Sequence, residues 1–329
     1  MMHKRQTAEK DILYIFLHIP KCAGSTFRYH VEHNLKKGEY ISLYDGEYFD
    51  VTEMAYEYFT PGKRRKEIDE YLARLSDAQK DTIRIVYGHR VYYGIHRFFP
   101  GREPRYITFI RHPVARTLSL YNFYRDHVEN PSRYPPELWN AYRIKGLGEV
   151  HKDIIQNGRT LPFPEWLKKR TWHSNFMTKF LAQQGFAEPN DSVEDMVEKF
   201  YFVGITENYR TDALFLYQLL GIKIFYPDQN ISKKYVDPKN LPEYTGVISD
   251  RNAKDIKLYE HSLRVNKKFK KHTPRFTLVV GMMKTRMWYS GLRTPLEIAY
   301  AIAWVLRQHV PQFGRILDGL KKAIRAEVR

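Results

Sequence analysis

The sequence contains a single cysteine, Cys22, among its 329 residues. One cysteine cannot close an intrachain disulfide, which excludes a disulfide-stabilised secreted scaffold and fits a reducing compartment. Long apolar runs are missing near the start, since residues 12–19 are too few to span a bilayer and include His18. We therefore expect no signal peptide and a cytoplasmic protein, with peripheral membrane contact left to the basic region described next. No internal repeat is present either, which excludes a solenoid.

Acidic residues are scarce in the last quarter of the chain. Residues 251–329 contain 18 Lys and Arg against 5 Asp and Glu, so this quarter supplies about +13 of the formal net charge of +17. Basic segments attract phosphate, sulfated glycans, anionic lipids or nucleic acids. We expect an anionic membrane surface and no nucleic acid as the partner; the alternative is a solvated face with no dedicated partner. The apolar stretch 296–306 and the basic stretch 313–328 fit an interfacial membrane helix or an ordinary packing or dimer helix.

What the sequence does contain is a strand, a short polar turn and a helix within its first 35 residues. Residues 12–19 are apolar and β-branched, which predicts a buried strand that Pro20 ends. A helical pattern covers residues 27–35. The N–H groups at the start of a helix are unpaired and bind anions, so we expect a phosphate site in the turn. The turn residues are Lys21, Cys22, Ala23, Gly24, Ser25 and Thr26.

The turn differs from the Walker A phosphate loop. Walker A reads GxxxxGK[ST], with the lysine after the glycines, whereas Lys21 precedes Gly24. No apolar strand ends in an aspartate that would serve as a magnesium ligand. The pattern therefore indicates anion binding and disfavours a nucleotide kinase or a nucleoside triphosphatase.

Two further predicted strands end at polar residues. Residues 83–87 lead to His89, and residues 106–110 lead to Arg111, after which a helical pattern contains Ser119. Strands that alternate with helices predict parallel βαβ units, whose carboxyl ends share one edge of the sheet. We expect an α/β fold with a P-loop-like central parallel sheet flanked by helices and a helical C-terminal extension.

The rest of the chain predicts a main domain, residues 1–250, and a basic helical extension, residues 251–329, packed on it. Residues 135–170 predict a helix interrupted by glycines and a proline. A helix is expected over 171–184 and a fourth strand over 201–205.

Two motifs resemble those of a known family. HIPKCAGSTF, residues 18–27, resembles the 5′-phosphosulfate loop of the carbohydrate sulfotransferases related to heparan sulfate 2-O-sulfotransferase, which use 3′-phosphoadenosine 5′-phosphosulfate (PAPS). About 90 residues further on, RYITFIRHPVARTLSLYNFY resembles the family's 3′-phosphate site, which implies that Arg111 and Ser119 bind that phosphate. The resemblance covers residues 12–221. It implies that the turn binds the 5′-phosphosulfate, with Lys21 also stabilising the leaving group.

The same resemblance implies the reaction. PAPS would be the donor, PAP the product, and the acceptor a hydroxyl, expected on a carbohydrate or glycoconjugate, with no metal required. Residues 202–207 and 174–181 also resemble family segments that lie near the nucleotide or the acceptor.

The expected base is a histidine. Where heparan sulfate 2-O-sulfotransferase has His-Gly-His, this chain has Tyr87-Gly88-His89, which implies His89 as the catalytic base. His96 would either orient the substrate or be structural. His112 stands where relatives often have an aspartate and receives no role. Cys22 has no base partner and is expected to be a small filler.

A second hypothesis of another class remains open at this point. The chain would keep the fold without catalysis and would bind a polyanion or a membrane surface through its basic C-terminal region. Replacing His89 with alanine separates the two hypotheses: for the enzyme, PAP binding should survive and transfer should vanish.

Overall fold

The computed structural model describes residues 11–44, 62–130, 154–156, 159–169, 174–188, 190–226, 232–237, 239 and 241–290. The centre of this part of the chain is a sheet of five parallel strands in the order β2-β3-β1-β4-β7, and β5 and β6 form a separate antiparallel pair. The strands are β1 Ile12–Leu17, β2 Tyr40–Ser42, β3 Ile85–Gly88, β4 Glu103–Ile110, β5 Ile155–Gln156, β6 Arg159–Thr160 and β7 Phe202–Ile205.

Burial explains why β1 lies at the middle of the sheet. All six of its residues are buried, without the polar alternation of a sheet that faces water on one side. Its last residue, Leu17, pairs with Gly88 of β3 and with Thr108 of β4. Because the strands are parallel, their carboxyl ends lie at one edge of the sheet, as predicted for this α/β fold.

Helices cover the sheet and continue the chain beyond it. They are α1 Gly24–Asn34, α2 Gly62–Arg74, α3 Asp77–Thr82, α4 Pro113–Glu129, α5 Phe163–Lys169, α6 Phe176–Gln183, α7 Val193–Glu198, α8 Tyr209–Leu219, α9 Leu241–Arg251, α10 Ala253–His272 and α11 Phe276–Ser290. Short 3₁₀ turns lie at Ile95–Phe98 and Thr206–Asn208.

Several elements differ from the sequence-based expectation. The first helix begins at Gly24 and not at residue 27, because the turn runs into the helix without a break. The helix expected over 135–170 is wrong at 155–160, where β5 and β6 form a strand pair, and is confirmed only at its described end, where α5 covers Phe163–Lys169. The short strand β2 was not predicted. The apolar stretch 296–306 and the basic stretch 313–328 lie outside the described residues.

Helix α10 is held against the sheet by buried polar contacts. Asn266 of α10 donates through Nδ2 to the Val203 carbonyl at 2.8 Å and to Asp212 at 3.0 Å. Lys270 lies 2.5 Å from the same buried carboxylate. The expected domain boundary at residue 250 falls at the end of α9, and a division there stays a prediction. No helix in the described ranges is long and apolar enough to cross a bilayer.

Candidate active site

The turn after β1 has a backbone suited to anions. Lys21 and Ala23 both adopt positive φ, at 69° and 64°, in the left-handed region that costs side-chain-bearing residues free energy. Helix α1 then begins at Gly24, and in the described structure no side chain caps its first N–H groups. Alternating backbone handedness next to an uncapped helix start forms an anion-binding concavity. We call residues 21–26 the phosphate loop after the ligand that their sequence predicts; that they bind an anion stays a prediction.

Two arginines, Arg111 directly after β4 and Arg116 in the first turn of α4, donate hydrogen bonds to the backbone of this turn. Arg111 Nη1 donates to the Lys21 carbonyl at 3.0 Å, and Arg116 Nε donates to the Pro20 carbonyl at 3.2 Å. The Lys21 ammonium lies 3.8 Å from the centre of the Phe123 ring, also on α4. Ser119 lies between Arg116 and Phe123 at helical spacing, so it belongs to the face of α4 that contacts the loop.

Lys21, Arg111 and Arg116 form a cluster of like charges, and among the described carboxylates Asp255 is close enough to stabilise the charge of Arg116. Burial, together with Arg111 and Arg116, lowers the pKa of Lys21 from 10.5 to about 7. Among the described residues, Arg111 Nε and Arg116 Nη2 are buried without a hydrogen-bond partner, and none of the three cations has a carboxylate within 4.0 Å. Such an arrangement fits a ligand with more than one phosphate group.

His89 lies beside the loop, at the end of β3. Gly88 precedes it with φ of 145°, and a Cβ there would lie 2.3 Å from the Leu43 carbonyl oxygen. His89 Nδ1 is 2.6 Å from the His18 carbonyl oxygen. A carbonyl can only accept, so Nδ1 carries a proton; in the neutral imidazole the lone pair is then on Nε2, the tautomer that a general base needs.

A second histidine contacts His89, and it was not predicted. The ring of His18 stacks on that of His89 with centroids 4.3 Å apart, and His18 Nδ1 is 2.5 Å from the Tyr44 hydroxyl. Tyr87 takes no part, since its hydroxyl donates to Glu32 at 2.8 Å. The available signal was a histidine at the end of a buried strand, in the first position of HIPK.

The surroundings of His112 show what the segment FVGITE, residues 202–207, contacts. The His112 N–H donates to the Glu207 carboxylate at 3.1 Å, so the last residue of FVGITE binds the backbone next to Arg111. The His112 ring packs on Tyr259. His96, in contrast, binds the Tyr106 hydroxyl at 2.8 Å, and within the described chain it makes no hydrogen bond or ring contact with the loop or His89.

Cys22 has the surroundings of a packing residue. It is fully buried, its sulfur lies 3.8 Å from that of Met177, and burial raises its pKa to about 12. A thiol in that state is neutral and a poor nucleophile. The described residues include no group of three His, Cys, Asp or Glu side chains arranged to hold a metal; that the reaction needs no metal stays a prediction.

The segment SNFMTKFL lies behind the loop and is joined to α10 by reciprocal capping. The carboxylate of Asp255 accepts from the N–H groups of Met177 and Thr178 at 3.0 and 2.8 Å and from the Thr178 hydroxyl at 2.7 Å. In return, Asn175 Oδ1 accepts from the N–H groups of Lys254 and Asp255. These contacts fix the packing partner of Cys22.

Comparison with known proteins identifies a family. A family model described as the sulfotransferase family matches residues 6–263, a range that contains the loop, His89, Arg111, Ser119 and the Asp255 cap. A search of curated proteins found no match. With a match over most of its length and the parallel α/β sheet that goes with it, the chain belongs to the sulfotransferase family.

Proposed function

We propose that this sulfotransferase uses PAPS as donor, with His89 as the base that activates an acceptor hydroxyl. One observation carries the proposal. Lys21, His89 and Arg111 follow three neighbouring parallel strands, and hydrogen bonds join them at one sheet edge: Arg111 to the Lys21 carbonyl and His89 to the His18 carbonyl.

The residues present fit the donor. The uncapped start of α1 and Lys21 would hold the 5′-phosphosulfate, and Arg111 with Ser119 would hold the 3′-phosphate. The buried arginine nitrogens that lack partners in the described structure support two anionic groups at this edge. PAPS supplies a sulfuryl group and a phosphate leaving group.

Residues of the chain then accept the hydroxyl proton and neutralise the charge on the leaving group. The acceptor oxygen bonds to sulfur while the bond between sulfur and the 5′-phosphate oxygen breaks, and the hydroxyl proton passes to His89 Nε2. Lys21 and the loop N–H groups neutralise the charge that grows on the departing phosphate oxygen. An anion bound there raises the pKa of Lys21 again, so the ammonium is charged when it is needed.

We infer from the resemblance of both motifs that the acceptor is a carbohydrate or glycoconjugate. The helix α10 adds a feature that favours an anionic membrane surface nearby. Its exposed side chains include a single acid, Glu260, against the basic residues Lys254, Lys257, Arg264, Lys267, Lys268 and Lys271. Leu278 and Met282 are exposed on the following helix, α11, and would provide apolar contact with such a surface.

Labelled donor tests the function directly. The purified full chain is incubated with PAPS carrying labelled sulfate and a panel of oligosaccharides, glycolipids and phenols. We expect label on a saccharide hydroxyl, and with His89→Ala we expect retained PAP binding without transfer. Binding of sulfated glycans or anionic vesicles with no transfer to any acceptor would instead favour the non-catalytic polyanion-binding hypothesis.

A further inference from the structure

The ring of His18 is buried between the phosphate loop and His89. A Cβ on Gly24 would lie 2.0 Å from His18 Cδ2. The His18 ring therefore occupies the space that a side chain at the first residue of α1 would need. On another side, the His89 ring lies at 4.3 Å with the two planes 28° apart. One imidazole therefore separates the loop backbone from the expected base.

Several contacts fix the position of His18. Its N–H donates to the Gly88 carbonyl at 3.0 Å, which extends the pairing of β1 with β3. Its carbonyl accepts from His89 Nδ1, and its own Nδ1 meets the Tyr44 hydroxyl. Tyr44 also packs edge-on against His89, with ring centroids 4.8 Å apart. A side chain held on so many sides has little freedom to change rotamer.

We propose that His18 is a positioning residue. Its ring is a rigid spacer that sets the distance and angle between the loop and His89, and by stacking on His89 it keeps that ring aligned to donate from Nδ1 to the His18 backbone carbonyl, with the lone pair on Nε2. Replacing the side chain leaves the carbonyl in place but removes the ring that holds His89 against it. The proposal rests on the role of His89 proposed above. In-line transfer needs the base and the leaving-group site on opposite sides of the sulfur, and an error of about 1 Å can cost about 100-fold in rate.

The charges around His18 suit this role. Burial, with His89, Lys21 and Arg28 nearby, holds the pKa of His18 well below its usual range, so its ring is neutral. Arg28 is itself paired with Glu32 at 2.6 Å. A neutral ring adds no positive charge next to a proton that arrives on His89.

The alternative is that His18 only fills the core, and a spectroscopic measurement separates the two. The chain has 13 histidines, so protein labelled with ¹⁵N-histidine is compared with His89→Ala to identify the His89 signals. Imidazole ¹⁵N shifts report which nitrogen holds the proton. We expect Nδ1–H for His89 in the natural protein, a mixture with Nε2–H in His18→Ala, and the natural tautomer in His18→Phe, which keeps a flat ring.

Kinetics provide the second readout. For His18→Ala we expect kcat to fall about 100-fold, while PAP affinity changes less than threefold; His18→Phe should lose about tenfold or less. His96→Ala is the control for the spectrum, since it removes a histidine that has no described contact with His89. If His18→Ala does not fold, His18→Leu fills the volume without a flat ring and serves in its place.

A folded His18→Ala or His18→Leu variant with an unchanged His89 tautomer would overturn the proposal, whatever its kcat. The spectrum needs neither donor nor turnover. If no acceptor is sulfated, the proposed function fails, while the tautomer still decides whether His18 positions His89.

Discussion

Arg111 and Arg105 lie at opposite ends of β4 and have different surroundings. Arg105, on the amino side, forms a partly exposed pair with Glu103 at 2.9 Å. Arg111, at the carboxyl end, donates to the loop and has a buried Nε that lacks a partner among the described residues. A buried arginine that has an unpaired donor and lies among other cations is suited to bind an anion.

Substitutions of Arg111 and Arg105 give a matched test of PAP binding. Arg111→Ala should weaken PAP binding about 10- to 100-fold, because charge-assisted hydrogen bonds contribute about 1.5–3 kcal/mol. Arg105→Ala should change it less than twofold, because Arg105 lies at the opposite end of β4 from the loop. Isothermal titration calorimetry with PAP measures both, and equal losses would remove Arg111 from the site.

Lys21 couples ligand binding to protons. Its pKa of about 7 in the free protein lies below the unfolded value of 10.5. The unfolded chain therefore binds more protons above pH 7, and this group makes the free protein more stable as pH rises through that window. An anion in the loop raises the pKa, so binding takes up a proton above pH 7.

We expect PAP affinity to fall as pH rises from 7 to 9, by up to about tenfold per pH unit. Calorimetry at pH 8 in buffers of different ionisation enthalpy should show uptake of close to one proton in the natural protein and none in Lys21→Met. Proton uptake that persists in Lys21→Met would assign the linkage to another group.

At the scale of elements, α6 and α10 stabilise each other through their first turns. The Asp255 carboxylate is 1 % exposed and accepts three hydrogen bonds from Met177 and Thr178. Burial raises its pKa while those donors oppose the rise. These helices hold the back of the loop through the Cys22–Met177 contact.

Asp255→Ala leaves buried donors without an acceptor, which costs about 1–3 kcal/mol for each group. We expect the free energy of unfolding to drop by about 3 kcal/mol, as measured by urea denaturation. Glu260→Ala, an exposed acid on the same helix, is the control and should stay within about 0.5 kcal/mol. A similar, small loss in both variants would show that the cap is dispensable.

The local pattern of apolar and polar residues in the sequence predicted the elements that are long or buried on all sides. The apolar run of β1, the strand before His89 and the helix after Arg111 all stand at the expected places. β2 was missed because three residues give too short a pattern. His18 and Tyr44 were missed for a different reason: they meet His89 only through the register of three strands, which no local pattern contains.

At the scale of the molecule, the described residues include two clusters of cations that the account uses. One is the ligand edge of the sheet, and the other is the exposed face of α10, where Lys267, Lys268 and Lys271 are exposed and Lys270 is not, being paired with Asp212. A face of this kind binds anionic surfaces in a salt-dependent way.

Reversing three of these charges tests the membrane proposal. The variant K267E/K268E/K271E should bind vesicles of mixed neutral and anionic lipid at least tenfold more weakly than the natural protein, because each basic residue contributes about 1 kcal/mol. Transfer to a small soluble acceptor should not change. Vesicle binding equal to that of the natural protein would remove this face from the membrane contact.

The central claim is that the Lys21 loop and the Arg111–Ser119 pair hold the two phosphate-bearing ends of one nucleotide. A crystal structure of the full chain with PAP tests it most directly. We predict the 5′-phosphate on the N–H groups of residues 22–26 and Lys21, the 3′-phosphate on Arg111 and Ser119, and His89 Nε2 facing the space next to the 5′-phosphate. PAP bound at another edge, or with His89 turned away from it, would contradict the account.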